Sequence, residues 1–349
     1  MINIYSSVHL EPWNHETPLK KGIGGSETCH VELVKEFESM GIPVMSYAPI
    51  PPNEPKPDNW KHFSEANPKD SGNWLVFRDA GFFDQELNPN NNYTFVAQDV
   101  DYPWNPERLE KITNYIVLCK AHKRFTEHKY PQLKGKIKLS SNGVRDGLIT
   151  KIESERIPRN PNKLVWTSSP DRGLELLLTN WFRVLEHNPK AEVHVFYGFN
   201  NIEVLGQKLG GWYAQYPQKL YQLMHQPGVV FRGRVNQEEL YRELFSSNVW
   251  WYLTNWPETS CINCMDAQAC GAIPVTNNYW AMDDNILHGY VSMGIPQSLA
   301  TSKIWQIDKV AELMKNPEVT WRNQMMQDAR KHFSWTKIAK QYLEILNAN

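Results

Sequence analysis

Glu258 and Asp266 stand eight residues apart, with Thr259 and Ser260 directly after the first acid and Ala267-Gln268-Ala269-Cys270-Gly271 after the second. Carboxylates hold hydroxyl groups, and a helix start offers an anion unpaired N–H groups and the positive end of the helix dipole. Thr259 or Ser260 is suited to cap a helix that begins here. Gly271 can end that helix in the left-handed conformation, and Pro274 prevents its continuation. Over that separation a regular helix turns through about 800°, which places Asp266 about two turns below the start, on a neighbouring side. Two acids beside an anion site fit a ligand that carries both phosphate and hydroxyl groups, such as a nucleotide sugar. A capped helix with incidental surface acids would give the same local pattern.

Other residues suit the same chemistry. Gly22-Ile23-Gly24-Gly25-Ser26-Glu27-Thr28 follows a short apolar run, and Gly24 and Gly25 let backbone N–H groups come close to a diphosphate at a helix start. The loop is neither GxGxxG nor a Walker A sequence. Arg172, in Ser168-Ser169-Pro170-Asp171-Arg172-Gly173, can contact phosphate in bidentate fashion; a surface ion pair is its plainer role. Gln98-Asp99 closes a strand, where open α/β sheets place their sites. Asp99 serves there either as a site carboxylate or as a helix cap or loop hydrogen bond. Asp99-Val100-Asp101 has the spacing of a metal pair but lies in the first half, so metal-independent chemistry is expected.

These residues need elements to position them. Apolar runs at Met1–Ser6, Ile42–Tyr47, Trp74–Phe77, Tyr93–Ala97, Ile116–Cys119 and Ile137–Ser140 read as strands. A helix with Val31, Leu33, Val34 and Phe37 at near-helical spacing separates the first two. Residues 48–72 read as an extended surface loop, and 146–162 as a linker. The pattern restarts with strands Leu164–Thr167, Glu192–Tyr197, Val229–Phe231, Val249–Leu253 and Ile273–Thr276, and with helices over 174–185 and 237–245. Alternation of this kind predicts parallel sheets in an α/β protein.

Residues 120–138 hold Lys120, Lys123, Arg124, Lys129, Lys134, Lys136 and Lys138 against the single acid Glu127. A solvated helix face is the common origin of such a run, and anionic lipid or nucleic-acid phosphate is the functional alternative. His122 reads as an ordinary surface residue. The net charge of −1 leaves no global polyanion-binding signature. Five scattered cysteines argue for a reducing compartment, and Cys261-x-x-Cys264 lacks a second pair of zinc ligands. No apolar run approaches the ~18 residues of a membrane span, and the N-terminus does not read as a secretion signal. A cytoplasmic protein is expected, with peripheral membrane contact through 120–138 left open.

The stretch 257–275 resembles the E-x7-E signature of glycosyltransferase family 4, with Asp266 in the second acid's place. The resemblance runs through nearly the whole chain. The Gly24-Gly25-x-Glu27 loop is similar to the family's donor-phosphate loop, and Asp171-Arg172-Gly173 to the segment that contacts the donor diphosphate. Val235 lies in a turn similar to the nucleobase-contacting one, Asn142-Gly143-Val144 resembles the turn near the interdomain hinge, and the helix after Phe333 resembles the closing helix. Three positions depart from the pattern. Gln98 replaces a histidine that often precedes Asp99, Thr167 replaces the first of two basic residues, and Asp266 replaces glutamate.

The resemblance implies a GT-B fold: two Rossmann-like domains facing across a cleft, 1–150 on the acceptor side and 151–330 for the nucleotide sugar, with 331–349 crossing back to the first. It implies a retaining hexosyl- or pentosyltransferase that uses a UDP- or GDP-sugar as donor substrate, with no cofactor and no metal. Glu258, Arg172 and Asp99 would serve catalysis. Gly24, Gly25, Arg172, Val235, Glu258, Thr259, Ser260 and Asp266 would bind the donor. The acceptor could be a glycan, a lipid or a modified nucleic-acid base. A non-catalytic nucleotide-sugar binding protein, or another GT-B enzyme such as an epimerase or a phosphorylase, is the alternative.

Overall fold

A strand buried on both faces is apolar along its length and polar only where it ends. The chain carries enough such runs for two sheets, and its computed structural model contains two. The structure describes residues 1–293 and 299–348. The first sheet comprises β1 (Ile2–Ser6), β2 (Val44–Ala48), β3 (Trp60–His62), β4 (Asn73–Phe77), β5 (Asn92–Val96), β6 (Asn114–Val117) and β7 (Ile137–Leu139), in the order β3-β2-β1-β4-β5-β6-β7. The second comprises β8 (Asn160–Trp166), β9 (Glu192–Phe196), β10 (Val229–Gly233), β11 (Ser247–Tyr252), β12 (Ile273–Asn277) and β13 (Tyr290–Ser292), in the order β10-β9-β8-β11-β12-β13. Every strand pair among the described residues is parallel.

Counted within each sheet, the order begins 3-2-1-4-5-6 in both. That is the doubly wound arrangement, whose connections reverse direction between the first and fourth strands. The switch points therefore lie between β1 and β4, and between β8 and β11. A ligand of such a sheet binds beyond the carboxyl ends of those strands.

The chain divides into two compact units. Unit 1 is Met1–Gly143 with Glu258–Ser260 and Phe333–Asn349; unit 2 is Val144–Pro257 with Cys261–His332. The helix Trp335–Asn347 thus belongs to unit 1, begun by Ser334, whose hydroxyl accepts the Lys337 N–H at 3.3 Å. Trp335, Ile338, Ala339, Tyr342 and Leu346 fall on its apolar face and join the core that Val31, Val34 and Phe37 form from the helix Gly25–Ser39. That face is what an amphipathic closing helix must supply.

Three local expectations need correction. Residues 48–72 are not wholly irregular: Trp60 is buried at 2% exposure and opens β3, and a 3-10 turn, Phe63–Glu65, follows. The segment 146–162 holds a helix, Asp146–Glu153, with Ile149 and Ile152 buried, and β8 begins at Asn160. The helix expected over 174–185 is broken at Asn180 into Leu174–Thr179 and Trp181–His187. There the Asn180 side-chain amide donates to the Leu176 carbonyl at 2.6 Å, a local bond that competes with helix continuation.

Candidate functional site

At the carboxyl end of β8 the chain turns through Ser168–Gly173 into the helix Leu174–Thr179. Gly173 has φ +124°, a conformation that side chains with a Cβ rarely adopt, and a Cβ there would run into the Leu253 carbonyl oxygen. The glycine thus lets the Arg172 loop lie directly against the end of β11. Arg172 uses that approach: its guanidinium carbon sits 3.6 Å from the Trp256 ring centroid, and its Nε is 3.7 Å from Asp171 Oδ1. Thr167 is buried, and its hydroxyl accepts the Trp250 indole N–H at 3.2 Å. The position supplies a core hydrogen bond and no charge.

The helix of the opening motif spans Ile262–Ala269. Its N-cap is Cys261, and neither Thr259 nor Ser260 caps it. Their hydroxyls are used elsewhere. Thr259 donates to the Gln98 carbonyl at 2.6 Å, and Ser260 accepts the Asn142 N–H at 3.2 Å. The C-terminus is as expected: Gly271 has φ +84°, its N–H bonds the Gln268 carbonyl at 3.1 Å, and the Ala272 N–H bonds the Ala267 carbonyl at 2.9 Å. Those two bonds make a Schellman closure. Arg159 adds a cation at that end, donating to the carbonyls of Ser247 and, at 3.0 Å, Cys270. Burial, and then the nearby Arg322, lower the Arg159 pKa to about 9, so the group stays charged near neutrality. Its charge complements the negative end of the helix dipole.

Asp266 is buried at 3% exposure and accepts the Tyr241 hydroxyl at 3.0 Å. Burial, then the Asp266 charge, hold the Tyr241 pKa well above its ordinary value, so Tyr241 remains a donor. Glu258 is half-buried. Val235 is half-buried in the turn before the helix Gln237–Ser246, which Asn236 caps through the Glu239 N–H at 2.9 Å. Arg234 in the same turn lies over the Tyr197 ring at 5.2 Å.

In unit 1, Gly24 is the N-cap of Gly25–Ser39, and Glu27 stands in the first turn of that helix. Past the end of β4, Arg78 has φ +61°, a strained value for a residue with a Cβ. Its Nε meets Asp99 Oδ2 at 2.7 Å, and its Nη1 lies 3.7 Å from Glu27 Oε1. Burial alone would lower the Arg78 pKa, but the Asp99 and Glu27 carboxylates outweigh it and the value is raised. The backbone N–H of Asp99 bonds the Tyr102 hydroxyl at 2.7 Å. Gln98 exchanges amide contacts with Asn142 at 3.3 Å. Gln98, Asn142, Thr259 and Ser260 are thereby brought into one hydrogen-bonded group, while Asp99 bonds Arg78 and Tyr102.

His122 is not a surface residue. It is fully buried on the helix Lys120–Lys129, with Nε2 3.1 Å from the Val100 carbonyl oxygen, and burial lowers its pKa to about 4. Lys129 pairs with Asp101, and Lys123 lies 3.8 Å from Glu127, so part of the basic run is neutralised within the protein. All five cysteines are buried and unbridged. Among the described residues, no group of three or more His, Cys, Asp or Glu side chains could hold a metal ion, and no helix is long and apolar enough to cross a membrane. Sequence reasoning missed Trp256, Tyr241 and the role of Arg78. Only Arg78 had a local signal, its place at a strand end beside Asp79.

No protein-family model matches the chain, and no curated protein matches it in sequence. Solved structures match it in fold. Sucrose-phosphate synthase from Thermosynechococcus elongatus gives a TM-score of 0.70 over 100% of this chain and 99% of that one, at 14% identity. AviGT4, a glycosyltransferase involved in avilamycin A biosynthesis, gives 0.68 over 99% and 96%, at 12% identity. Anabaena HepE in complex with UDP-glucose gives 0.65 over 100% and 99%, at 14% identity. These neighbours are GT-B glycosyltransferases, and the two doubly wound parallel sheets are those of the GT-B fold.

Proposed function

We propose that the chain is a retaining glycosyltransferase of the family 4 kind, which moves a sugar from a nucleotide-diphosphate sugar to an acceptor hydroxyl. One observation carries the reading. The Arg172 loop follows β8 and the segment leading to Glu258 follows β11, the two strands that flank the switch point of the second sheet. A phosphate-seeking guanidinium thus stands past one of the two strand ends where a doubly wound sheet binds its ligand, and the chain that leaves the other leads to Glu258. HepE was solved with UDP-glucose, which makes UDP-sugars the first donors to try.

The difficult event is departure of the diphosphate. As the bond from the anomeric carbon to the diphosphate oxygen breaks, its electron pair stays with the phosphate and the sugar ring gains positive character. The acceptor oxygen bonds the anomeric carbon on the same face, and its proton passes to the departing diphosphate. Arg172 is assigned to the growing phosphate charge, and the Gly24 and Gly25 amides are the candidate donor-phosphate contacts of unit 1. Glu258 is assigned to the sugar hydroxyls and the electron-poor ring, Asp266 to the ribose, and Val235, Thr259 and Ser260 to donor contacts. Asp99 is assigned to the acceptor hydroxyl, which it would orient by accepting its hydrogen bond. Tyr241 fixes Asp266, so a ribose would share a carboxylate that already accepts one hydrogen bond.

Glu258→Ala and Arg172→Ala should each lower turnover by about 100-fold or more, the scale of a lost transition-state electrostatic contact. Turnover near wild type in both variants would refute the assignment. Turnover should also survive chelation, and a loss restored by manganese would overturn the metal-independent mechanism.

A further inference from the structure

We infer that Trp256 is a positioning residue for the donor diphosphate, acting through Arg172. The inference rests on the donor reading above and adds a residue to it. The guanidinium carbon of Arg172 lies over the Trp256 ring, 3.6 Å from its centroid, within van der Waals contact. Stacking engages the face of the guanidinium and directs its N–H groups to acceptors in its own plane, and a phosphate is such an acceptor. An arginine held this way loses less side-chain freedom when an anion arrives.

Both members of the stack are tied to the sheet. The Trp256 backbone N–H bonds Thr254 Oγ1 at 3.0 Å. Asn277, the last residue of β12 and fully buried, grips Thr254 from both sides: its Oδ1 accepts the Thr254 N–H at 3.0 Å, and its Nδ2 donates to the Thr254 carbonyl at 2.8 Å. On the arginine side, the buried Tyr216 hydroxyl donates to the Pro170 carbonyl at 3.1 Å, and Gly173 lies against the Leu253 carbonyl. The stack is therefore a fixed support.

This chain needs that support. Thr167 contributes a core hydrogen bond and no cation, so Arg172 carries more of the phosphate charge alone. Asp171, 3.7 Å from the Arg172 Nε, competes for the same guanidinium. The indole face holds the cation without offering it a hydrogen-bond acceptor.

The test is a double-mutant cycle read by calorimetric titration with UDP and with GDP, and with uridine and guanosine as probes that lack phosphate. Trp256→Leu should weaken the diphosphate that the wild type binds by about 10-fold, the scale of a desolvated cation–π contact, with nucleoside binding unchanged. Trp256→Phe should recover most of the loss. In an Arg172→Ala background, Trp256→Leu should have no further effect, a coupling that a purely structural role would not produce. Additive losses, equal losses of nucleoside and diphosphate, or wild-type affinity in Trp256→Leu would overturn the inference. If Trp256→Leu fails to fold, the cycle is run with Trp256→Phe and Trp256→His, and additivity again sinks the idea. Wild-type diphosphate affinity in Arg172→Ala, or a wild type that binds neither diphosphate, would overturn the donor reading itself, a different outcome from failure of Trp256 alone.

Discussion

The two sheets share a strand order and differ in what holds the arginines at their carboxyl ends. In unit 1, Arg78 follows β4 and lies between the Asp99 and Glu27 carboxylates. In unit 2, Arg172 follows β8 and stacks on Trp256, and Arg234 lies over Tyr197. A guanidinium between two carboxylates is neutralised by the protein. Arg172 shares its guanidinium between the Trp256 ring and the Asp171 carboxylate, so an aromatic face is part of its surroundings as well as a carboxylate. Topology creates a ligand edge on each sheet, and we propose that the partners of one arginine on each edge decide which edge suits phosphate.

The sharpest way to break this contrast is to make the same change on both sides. Arg172→Met should weaken nucleoside-diphosphate binding by about 30-fold or more, as expected for loss of a charge-assisted contact. Arg78→Met should leave that affinity within about twofold and instead lower stability by about 1–3 kcal/mol, because two carboxylates lose their partner. Titration calorimetry and denaturant melts separate the outcomes, and equal losses of affinity would erase the distinction.

Two glycines give a second pairing. Gly173→Ala meets both a positive φ and the Leu253 carbonyl, and should cost about 1–3 kcal/mol of stability. Gly41→Ala meets a positive φ of +73° but open space, and should cost about 1 kcal/mol. Similar melting shifts in the two variants would show that the Arg172 loop is not held tightly against β11.

Acid should act on unit 1 first. Burial lowers the pKa of His30 to about 3 and of His122 to about 4. The unfolded chain takes up those protons near pH ~6.5, so the stabilising contribution is complete above that pH and is lost as pH falls toward 4 and then 3. In unit 2, burial would raise Glu243, but hydrogen bonds from His194 and Lys163 outweigh it and hold the group at about 2. Its contribution is complete only above the ordinary glutamate value of ~4.3 and is lost toward 2. Hydrogen exchange at pH 7 and pH 5, corrected for intrinsic rate, should show β1–β7 losing protection before β8–β13, and the reverse order would contradict the assignment. Least affected should be Lys129→Gln, which removes an exposed pair with Asp101 and should leave the thermal melt close to that of the wild type.

Much of this architecture is legible in the sequence because buried parallel strands leave a strong mark. Leu75, Val76 and Phe77 form an apolar run that ends at Arg78, and Val249–Tyr252 runs straight into the motif segment. The three-residue edge strands β3 and β13 leave almost none. His122 misled because lysines surround it in sequence, yet His122 and Thr126 share the helix face turned to the core. Thr259 and Ser260 look like caps by local rules, but their partners, Gln98 and Asn142, lie more than a hundred residues away along the chain. The Arg172–Trp256 stack is equally non-local. The motif order is thus written locally, while the support of each functional side chain is written across the sheet.

Release of nucleoside diphosphate from a panel of UDP- and GDP-sugars, with and without simple glycoside acceptors, tests the proposed handling of a nucleotide sugar. The wild type should release diphosphate from at least one donor, faster with acceptor, and Arg172→Ala should reduce the release by about 100-fold. No release from any donor, or release by Arg172→Ala at the wild-type rate, would contradict it.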